Sequence, residues 1–67
     1  MNATDIRSAR KNAGIRRQIE LADELQINRA TLVDIEAGRI GIDDETYTMI
    51  KDGIERLGGR IREEAAA

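Results

Sequence analysis

The chain contains no cysteine and no histidine among its 67 residues. Without cysteine it can form neither a disulfide framework nor a thiolate metal site. Without histidine it lacks the commonest general base and the commonest metal ligand. We therefore expect neither a bound metal nor another cofactor.

Aromatic residues are also scarce, since Tyr47 is the only one. Recognition of single-stranded nucleic acid by base stacking is therefore not expected. No apolar run approaches the roughly 20 residues of a membrane span, and no signal-peptide core precedes a small-residue cleavage site. The sequence thus predicts a cytoplasmic protein without membrane contact.

The residue groups that could suggest catalysis have simpler explanations. The consecutive carboxylates Asp43, Asp44 and Glu45 are typical of a helix start, because negative charge is favourable in the first helical turn. Ser8 has no histidine to activate it, and no glycine-rich phosphate loop is present. An enzyme is therefore not expected.

Charge is what the chain has in quantity, and it is unevenly distributed. The net charge is −2, yet residues 1–18 hold five basic residues and one acidic residue, whereas residues 40–67 hold four basic and seven acidic residues. A folded domain can therefore present one basic end and one acidic end, and only the local field acts on a partner. The alternative is that both clusters are ordinary solvated helix faces.

Hydrophobic periodicity predicts helices over residues 4–12, 18–25 and 29–37. The apolar faces of the last two are formed by Leu21, Ala22 and Leu25, and by Leu32 and Ile35. Gly14 is expected to stop the first helix, Asn28 to cap the third through its side-chain oxygen, and Gly38 to end it in a left-handed conformation. Two short helices around a tight turn form a helix-turn-helix, whose second helix can enter the major groove of DNA.

A fourth helix is expected to begin at residues 43–45 and to carry an apolar seam with steps of three and four residues. The seam consists of Tyr47, Ile50, Ile54, Leu57 and Ile61. Gly58 and Gly59 are expected to end or bend this helix. The sequence thus divides into a domain over residues 1–57 and a tail over residues 58–67, helical or frayed.

Two interpretations of the seam stay open. Tyr47 and Ile50 are expected to cover the helix-turn-helix core. Ile54, Leu57 and Ile61 either do the same or form the interface of a homodimer, since a seam of two heptads is too short to indicate a sustained coiled coil.

Residues 6–39, IRSARKNAGIRRQIELADELQINRATLVDIEAGR, resemble the Cro and phage-repressor (XRE-type) helix-turn-helix domain. The specific matches are Gln18 opening the second helix, Leu21-Ala22 and Leu25 within it, Ile27-Asn28-Arg29 at the turn, and Ile35-Glu36-Ala37-Gly38-Arg39 at the end of the third helix. The resemblance implies an all-α, lambda-repressor-like bundle of four or five helices. It also implies dimeric binding to pseudo-palindromic double-stranded operators and a role in transcriptional control, often in phages or mobile elements.

The same resemblance implies roles for four residues. Gln18 and Arg39 would each hold a DNA phosphate. Arg10 would form a structural ion pair with Glu36 beneath the motif. Arg16 and Arg17 are added as phosphate contacts because basic side chains beside the groove supply sequence-independent affinity.

The outward face of the third helix supplies the candidate base-reading residues. They are Asn28, Arg29, Ala30, Thr31, Val33 and Asp34. Arg29 is the strongest of them, since an arginine can donate two hydrogen bonds to guanine O6 and N7. Ala30 and Val33 suit thymine methyl groups. Asp34 either accepts from cytosine N4 or turns toward Arg16, Arg17 or solvent.

The chain also departs from the family pattern. Gln26 stands where glycine is usual, the connector lacks a Ser, Thr or Asp to cap the second helix, and Ala37 replaces the usual asparagine. Ile19 falls at a usually polar position and is expected to form an apolar surface patch with Ile15, Val33 and Ile40.

Two functions follow from these observations. The first is sequence-specific DNA binding by a small repressor or Cro-like switch protein. The alternative is a protein-interaction module, such as an antitoxin, anti-repressor or adaptor, with weak or no DNA binding. The net negative charge and the Ala30-Val33-Asp34 face of the third helix favour the alternative, whereas the motif and the basic N-terminal cluster favour the first.

Overall fold

The computed structural model describes the backbone of residues 3–66 and the side chains of residues 5–66. It contains four helices: α1 (Ala3–Asn12), α2 (Gln18–Leu25), α3 (Arg29–Glu36) and α4 (Asp44–Ala66). Residues 3–66 include no β-strand. The predicted all-α bundle is therefore confirmed, with four helices.

Gly14 and Gly38 end helices, as predicted. Gly14 and Gly38 have φ angles of +87° and +79°, the left-handed region that only glycine enters without steric cost. α2 has the predicted bounds, and α3 ends one residue earlier than predicted because Ala37 occupies its C-cap.

The core lies between the helix-turn-helix and α4. All four helices and the connector between α1 and α2 contribute to it: the buried residues are Ile6, Ile15, Leu21, Ala22, Leu32, Ile35, Ile50 and Ile54. The predicted inward faces of α2 and α3 are therefore the observed ones. Each buried aliphatic side chain contributes roughly 1.5–3 kcal/mol, so this single cluster supplies most of the driving force for folding.

Gly58 and Gly59 are expected to end or bend α4, and the first of these two alternatives is wrong. The helix continues through both residues to Ala66; Ala67 lies outside the described residues. Gly58 is buried against Ala13, and a Cβ at Gly58 would fall 2.9 Å from the Ala13 Cβ. Glycine at this position thus permits a close approach of α4 to the end of α1 instead of breaking the helix.

Contacts along the second half of α4 hold it against the domain. Ile54 is buried in the core, and Leu57 and Ile61 pack against it while partly exposed. On the neighbouring side, Glu24 of α2 accepts hydrogen bonds from both Arg56 and Arg60. This segment therefore belongs to the same body as the helix-turn-helix.

Asn28, the predicted cap of α3, and Asp43, one of the carboxylates at the start of α4, behave differently. Asn28 is the N-cap residue of α3 but makes no capping hydrogen bond through its side chain, so that expectation is wrong and its amide is exposed. Asp43 does cap α4, because its Oδ1 accepts a hydrogen bond of 2.8 Å from the Thr46 backbone N–H.

No helix within residues 3–66 has the length and hydropathy needed to cross a membrane.

The Asp43 cap predicts a pH dependence at the start of α4. Hydrogen bonds with Thr46 lower the pKa of Asp43 below its ordinary value of 3.8. The cap therefore stabilises the helix fully above pH 3.8, and this contribution disappears as the pH falls through the lowered pKa. An NMR titration of the Asp43 carboxyl carbon should give a pKa below 3.8, and Thr46→Ala should raise it; a value at or above 3.8 would contradict the prediction.

Gln26 adopts a left-handed conformation at the C-terminus of α2, with φ 58° and ψ 41°. The Ile27 N–H bonds to the Ala22 carbonyl at 3.0 Å, which closes the helix in a Schellman arrangement. A side chain in this conformation costs roughly 1–2 kcal/mol. Gln26→Gly is therefore expected to raise the free energy of unfolding by about 1 kcal/mol, since the flexibility of glycine in the unfolded chain offsets part of the gain.

Urea denaturation of the wild type, Gln26→Gly and Gln26→Ala measures this effect. The alanine variant removes the long side chain but keeps the left-handed strain, so its stability should stay near that of the wild type. Equal stabilities for the glycine and alanine variants would show that the backbone conformation is not the cause.

Candidate nucleic-acid interface

An open groove of about 800 Å³ runs where the end of α1, the connector, the start of α2 and the outward side of α3 meet. Its cationic lining residues, apart from the buried Arg10, are Arg7, Lys11, Arg16, Arg17, Arg29 and Arg39. The predicted basic N-terminal cluster and α3 thus face one common space. Clefts lined by charge of one sign concentrate their field and attract an oppositely charged partner.

Little negative charge neutralises this groove. Among the described residues that line it, Glu36 is the one carboxylate, and it is already paired with Arg10. Within the described part of the chain, only Arg39 among the six cations forms an ion pair, with Asp34 at 3.0 Å. Five cations are therefore available to anionic groups such as phosphates, although the chain as a whole is negative.

Arg10 and Glu36 form a buried, two-pronged ion pair at the floor of the groove. The Arg10 Nε donates to Glu36 Oε2 at 2.9 Å, and its Nη2 donates to Oε1 at 3.2 Å. Their side chains are only 4% and 3% exposed. The pair implied by the resemblance is thus present, and it joins α1 to the end of α3.

The same guanidinium also positions the connector. The Arg10 Nη1 donates to the carbonyls of Ile15 at 2.9 Å and Arg16 at 3.2 Å. Gln18 adds a third link, because its Nε2 donates to Glu36 Oε1 at 3.3 Å. One buried network therefore fixes where Arg16, Arg17 and the start of α2 lie relative to α3.

The N-terminus of α2 opens onto the groove without a side-chain cap. Arg17 occupies the N-cap position in an extended conformation and makes no capping hydrogen bond, as the missing Ser, Thr or Asp predicts. Backbone N–H groups of a first helical turn attract anions when no side chain satisfies them. The helix dipole therefore adds to the positive field of the arginines.

The predicted base-reading residues divide between the groove and its edge. Arg29 and Val33 line the groove. Asn28 and Ala30 are exposed beside it, and the two others, Thr31 and Asp34, are partly exposed. All six therefore have surface available to a partner, as the burial of Leu32 and Ile35 on the opposite side of α3 requires.

The predicted phosphate-binding residues also differ in their surroundings. Arg16 and Arg17 are exposed and line the groove, whereas Gln18 is partly buried against Glu36. Arg39 lines the groove but is paired with Asp34. The sequence predicts that Asp34 turns toward Arg16, Arg17 or solvent if it does not read a base. Its side chain is 41% exposed to solvent, and its ion-pair partner is Arg39, which follows α3 closely enough to reach back.

The expected apolar surface patch does not form as a whole. Ile15 is completely buried in the core, because Arg10 holds the connector against the domain. Ile19 and Val33 both line the groove, whereas Ile40 is exposed outside its lining. The remaining apolar pair therefore belongs to the basic groove and not to a separate patch.

Two cations of the predicted basic cluster, Arg7 and Lys11, were not assigned to the site from the sequence. They are exposed on α1 and line the groove with the arginines of the connector. Their spacing of four residues places them on one helix face, and this signal is present in the sequence. What the sequence lacks is the direction in which that face points.

The three residues of the possible dimer interface contact their own chain. Ile54 is 3% exposed and belongs to the core, whereas Leu57 and Ile61 are partly exposed and pack against it. The core interpretation therefore applies to Ile54. Leu57 and Ile61 keep some surface on the outside of α4.

Comparison with protein families supports the interpretation of the helix-turn-helix motif. The helix-turn-helix family model of the Cro/C1 (XRE-like) type matches residues 6–50, about two thirds of the chain. The chain belongs to this family. As a member, it is a DNA-binding helix-turn-helix regulator and not an enzyme. Comparison with curated proteins and with solved structures found no match.

Proposed function

We propose that this helix-turn-helix chain regulates transcription by sequence-specific binding to double-stranded DNA, as a repressor or Cro-like switch protein. The observation that carries the proposal is the basic groove, which brings together five cations from α1, the connector and α3 that form no ion pair among residues 5–66. Such a surface fits a phosphate backbone, and α3 beside it has the size and exposure to enter the major groove.

The residues divide into two roles. Arg7, Lys11, Arg16 and Arg17 lie off the recognition helix and contact phosphates, which supplies affinity without sequence preference. Arg29, in the first turn of α3, enters the major groove of DNA and donates hydrogen bonds to a guanine. The phosphate contacts fix the position of the protein along the duplex and thereby determine which base Arg29 contacts.

We propose further that the protein binds a pseudo-palindromic operator as a homodimer, as the family resemblance implies. Two copies related by a twofold axis would present two recognition helices to successive turns of the duplex. Leu57 and Ile61 are the residues of the predicted interface with surface left for a second copy.

Salt dependence tests the DNA-binding proposal. Removing one cation that binds a phosphate should reduce the slope of log affinity against log salt by about 1. Arg17→Ala should therefore weaken binding to all duplexes equally and flatten this slope. Arg29→Ala should instead lower discrimination between operator and mismatched duplex by about 1–3 kcal/mol.

Fluorescence anisotropy with a duplex selected from a randomised pool measures both effects. Arg62→Ala is the matched control, since Arg62 is exposed on α4 and does not line the groove. It removes the same charge and should leave the slope and the discrimination unchanged. Duplex binding without salt dependence, or no binding, would favour the protein-interaction module.

A further inference from the structure

Two apolar side chains interrupt the basic lining of the groove. Ile19 projects from the first turn of α2, and Val33 comes from the middle of α3. Both are only partly buried, so each keeps hydrocarbon in contact with water in the unbound protein. Phosphate binding does not explain them, because phosphates favour cations and N–H groups at these positions.

The neighbours of this pair limit what it can meet. Arg29 lies one helical turn before Val33 and lines the same groove. A ligand that fills this space must therefore offer an apolar group beside a hydrogen-bond acceptor, and it must carry anionic groups that meet the surrounding cations. In the major groove of DNA the apolar group at the base edge is the C5 methyl of thymine, and guanine offers O6 and N7 as acceptors.

We propose that Ile19 and Val33 together form a methyl-reading pair that selects thymine, with Arg29 reading a guanine close to it. Ile19 is the base-reading residue that this proposal adds. It makes α2 a contributor to sequence specificity, whereas its neighbours Arg17 and Gln18 are assigned to the DNA phosphate backbone. The proposal deepens the proposed function and rests on it. The preferred operators are those that place a thymine methyl and a guanine within the span of one turn of α3.

Removing methyl groups from the DNA tests this without altering the protein. The full chain is used to select duplexes from a randomised pool, and each thymine of the best duplex is then replaced by deoxyuridine, which lacks only the methyl. At least one replacement close to an essential guanine should weaken binding about fourfold, the effect of one buried methyl group. The salt slope should not change, since every phosphate keeps its cation.

Protein variants then assign the effect to Ile19. Ile19→Ser should abolish most of the difference between thymine and deoxyuridine at one position. Ile40→Ser is the matched control, since Ile40 is 42% exposed and lies outside the groove lining; it should keep the full difference. If circular dichroism shows that Ile19→Ser is unfolded, the shorter Ile19→Val should reduce the difference instead.

Three results would overturn the proposal. The first is a selected duplex in which no thymine methyl affects binding. The second is an Ile19 variant, folded and binding, that keeps the full wild-type sensitivity at every thymine. The third is failure of the wild type to bind any duplex in a salt-dependent way, which removes the proposed function as well and is thereby distinguished from the first two.

Discussion

Replacing Glu36 with alanine is expected to lower the free energy of unfolding by about 3–5 kcal/mol. The substitution leaves the Arg10 guanidinium buried with a 4% exposed side chain and no carboxylate beside it. Burying an unpaired charge is among the most destabilising changes a core can undergo. A decrease of this size approaches the whole stability of a domain this small.

Urea denaturation followed by circular dichroism measures the decrease, and two further variants separate its causes. Glu36→Gln keeps an acceptor oxygen at nearly the same volume and should cost less than alanine. Asp34→Ala breaks the exposed pair with Arg39 and should cost at most about 1 kcal/mol, as exposed ion pairs do. If Glu36→Ala and Asp34→Ala lowered the free energy of unfolding equally, burial of the Arg10–Glu36 pair would not be the cause of the effect.

A double substitution tests whether Arg10 and Glu36 also position the connector, in addition to neutralising each other's buried charge. Replacing both Arg10 and Glu36 by apolar residues removes the unpaired charge, which often restores stability. Here the recovery should be incomplete, because the Ile15 and Arg16 carbonyls lose the donor that Arg10 provides. Duplex affinity should fall even in a folded double variant, since the connector arginines lose their fixed position.

Gly58→Ala and Gly59→Ala are expected to change stability in opposite directions, although both add one methyl to the same turn of α4. A Cβ at Gly58 meets the Ala13 Cβ at 2.9 Å and the Ala13 carbonyl oxygen at 3.3 Å. Overpacking of this kind costs about 1–3 kcal/mol. The backbone of Ala13 cannot easily retreat, because Gly14 beside it is held in a left-handed turn.

Gly59 provides the matched control. A Cβ there meets nothing within 4 Å, so alanine gains helix propensity without a clash. Gly59→Ala should therefore raise the free energy of unfolding by about 0.5–1 kcal/mol. Thermal and urea denaturation of both variants check the two signs; a Gly58→Ala variant more stable than the wild type would show that α4 can move away from α1 at little cost.

The helices that could be predicted are those whose apolar periodicity and end signals agree. The inward faces of α2 and α3 follow from a spacing of three and four residues, and Gly14 and Gly38 end helices because their left-handed turns require glycine. Asn28 shows the limit of such rules. Its residue type suits a cap, yet the observed cap makes no side-chain bond, since solvent can satisfy those N–H groups as well.

The course of α4 could not be predicted, because a pair of glycines indicates a break when only the sequence is considered. Its helical conformation at Gly58 depends on packing against Ala13, a residue far away in the chain. Which cations line the groove could not be predicted either, because this also depends on contacts between residues far apart in the chain. The basic residues are visible in the sequence, but their convergence depends on the Arg10 network that folds the connector inward.

α4 supplies Ile50 and Ile54 to the core that supports the recognition helix, and its 23 residues extend about 34 Å, close to the longest dimension of the molecule, 38 Å. It is also the segment synthesised after the other three. During translation α2 and α3 therefore leave the ribosome before α4, which supports them, and domains fold as units. The packed arrangement of α2 and α3 is therefore complete only when Ile50 and Ile54 of α4 have joined the core.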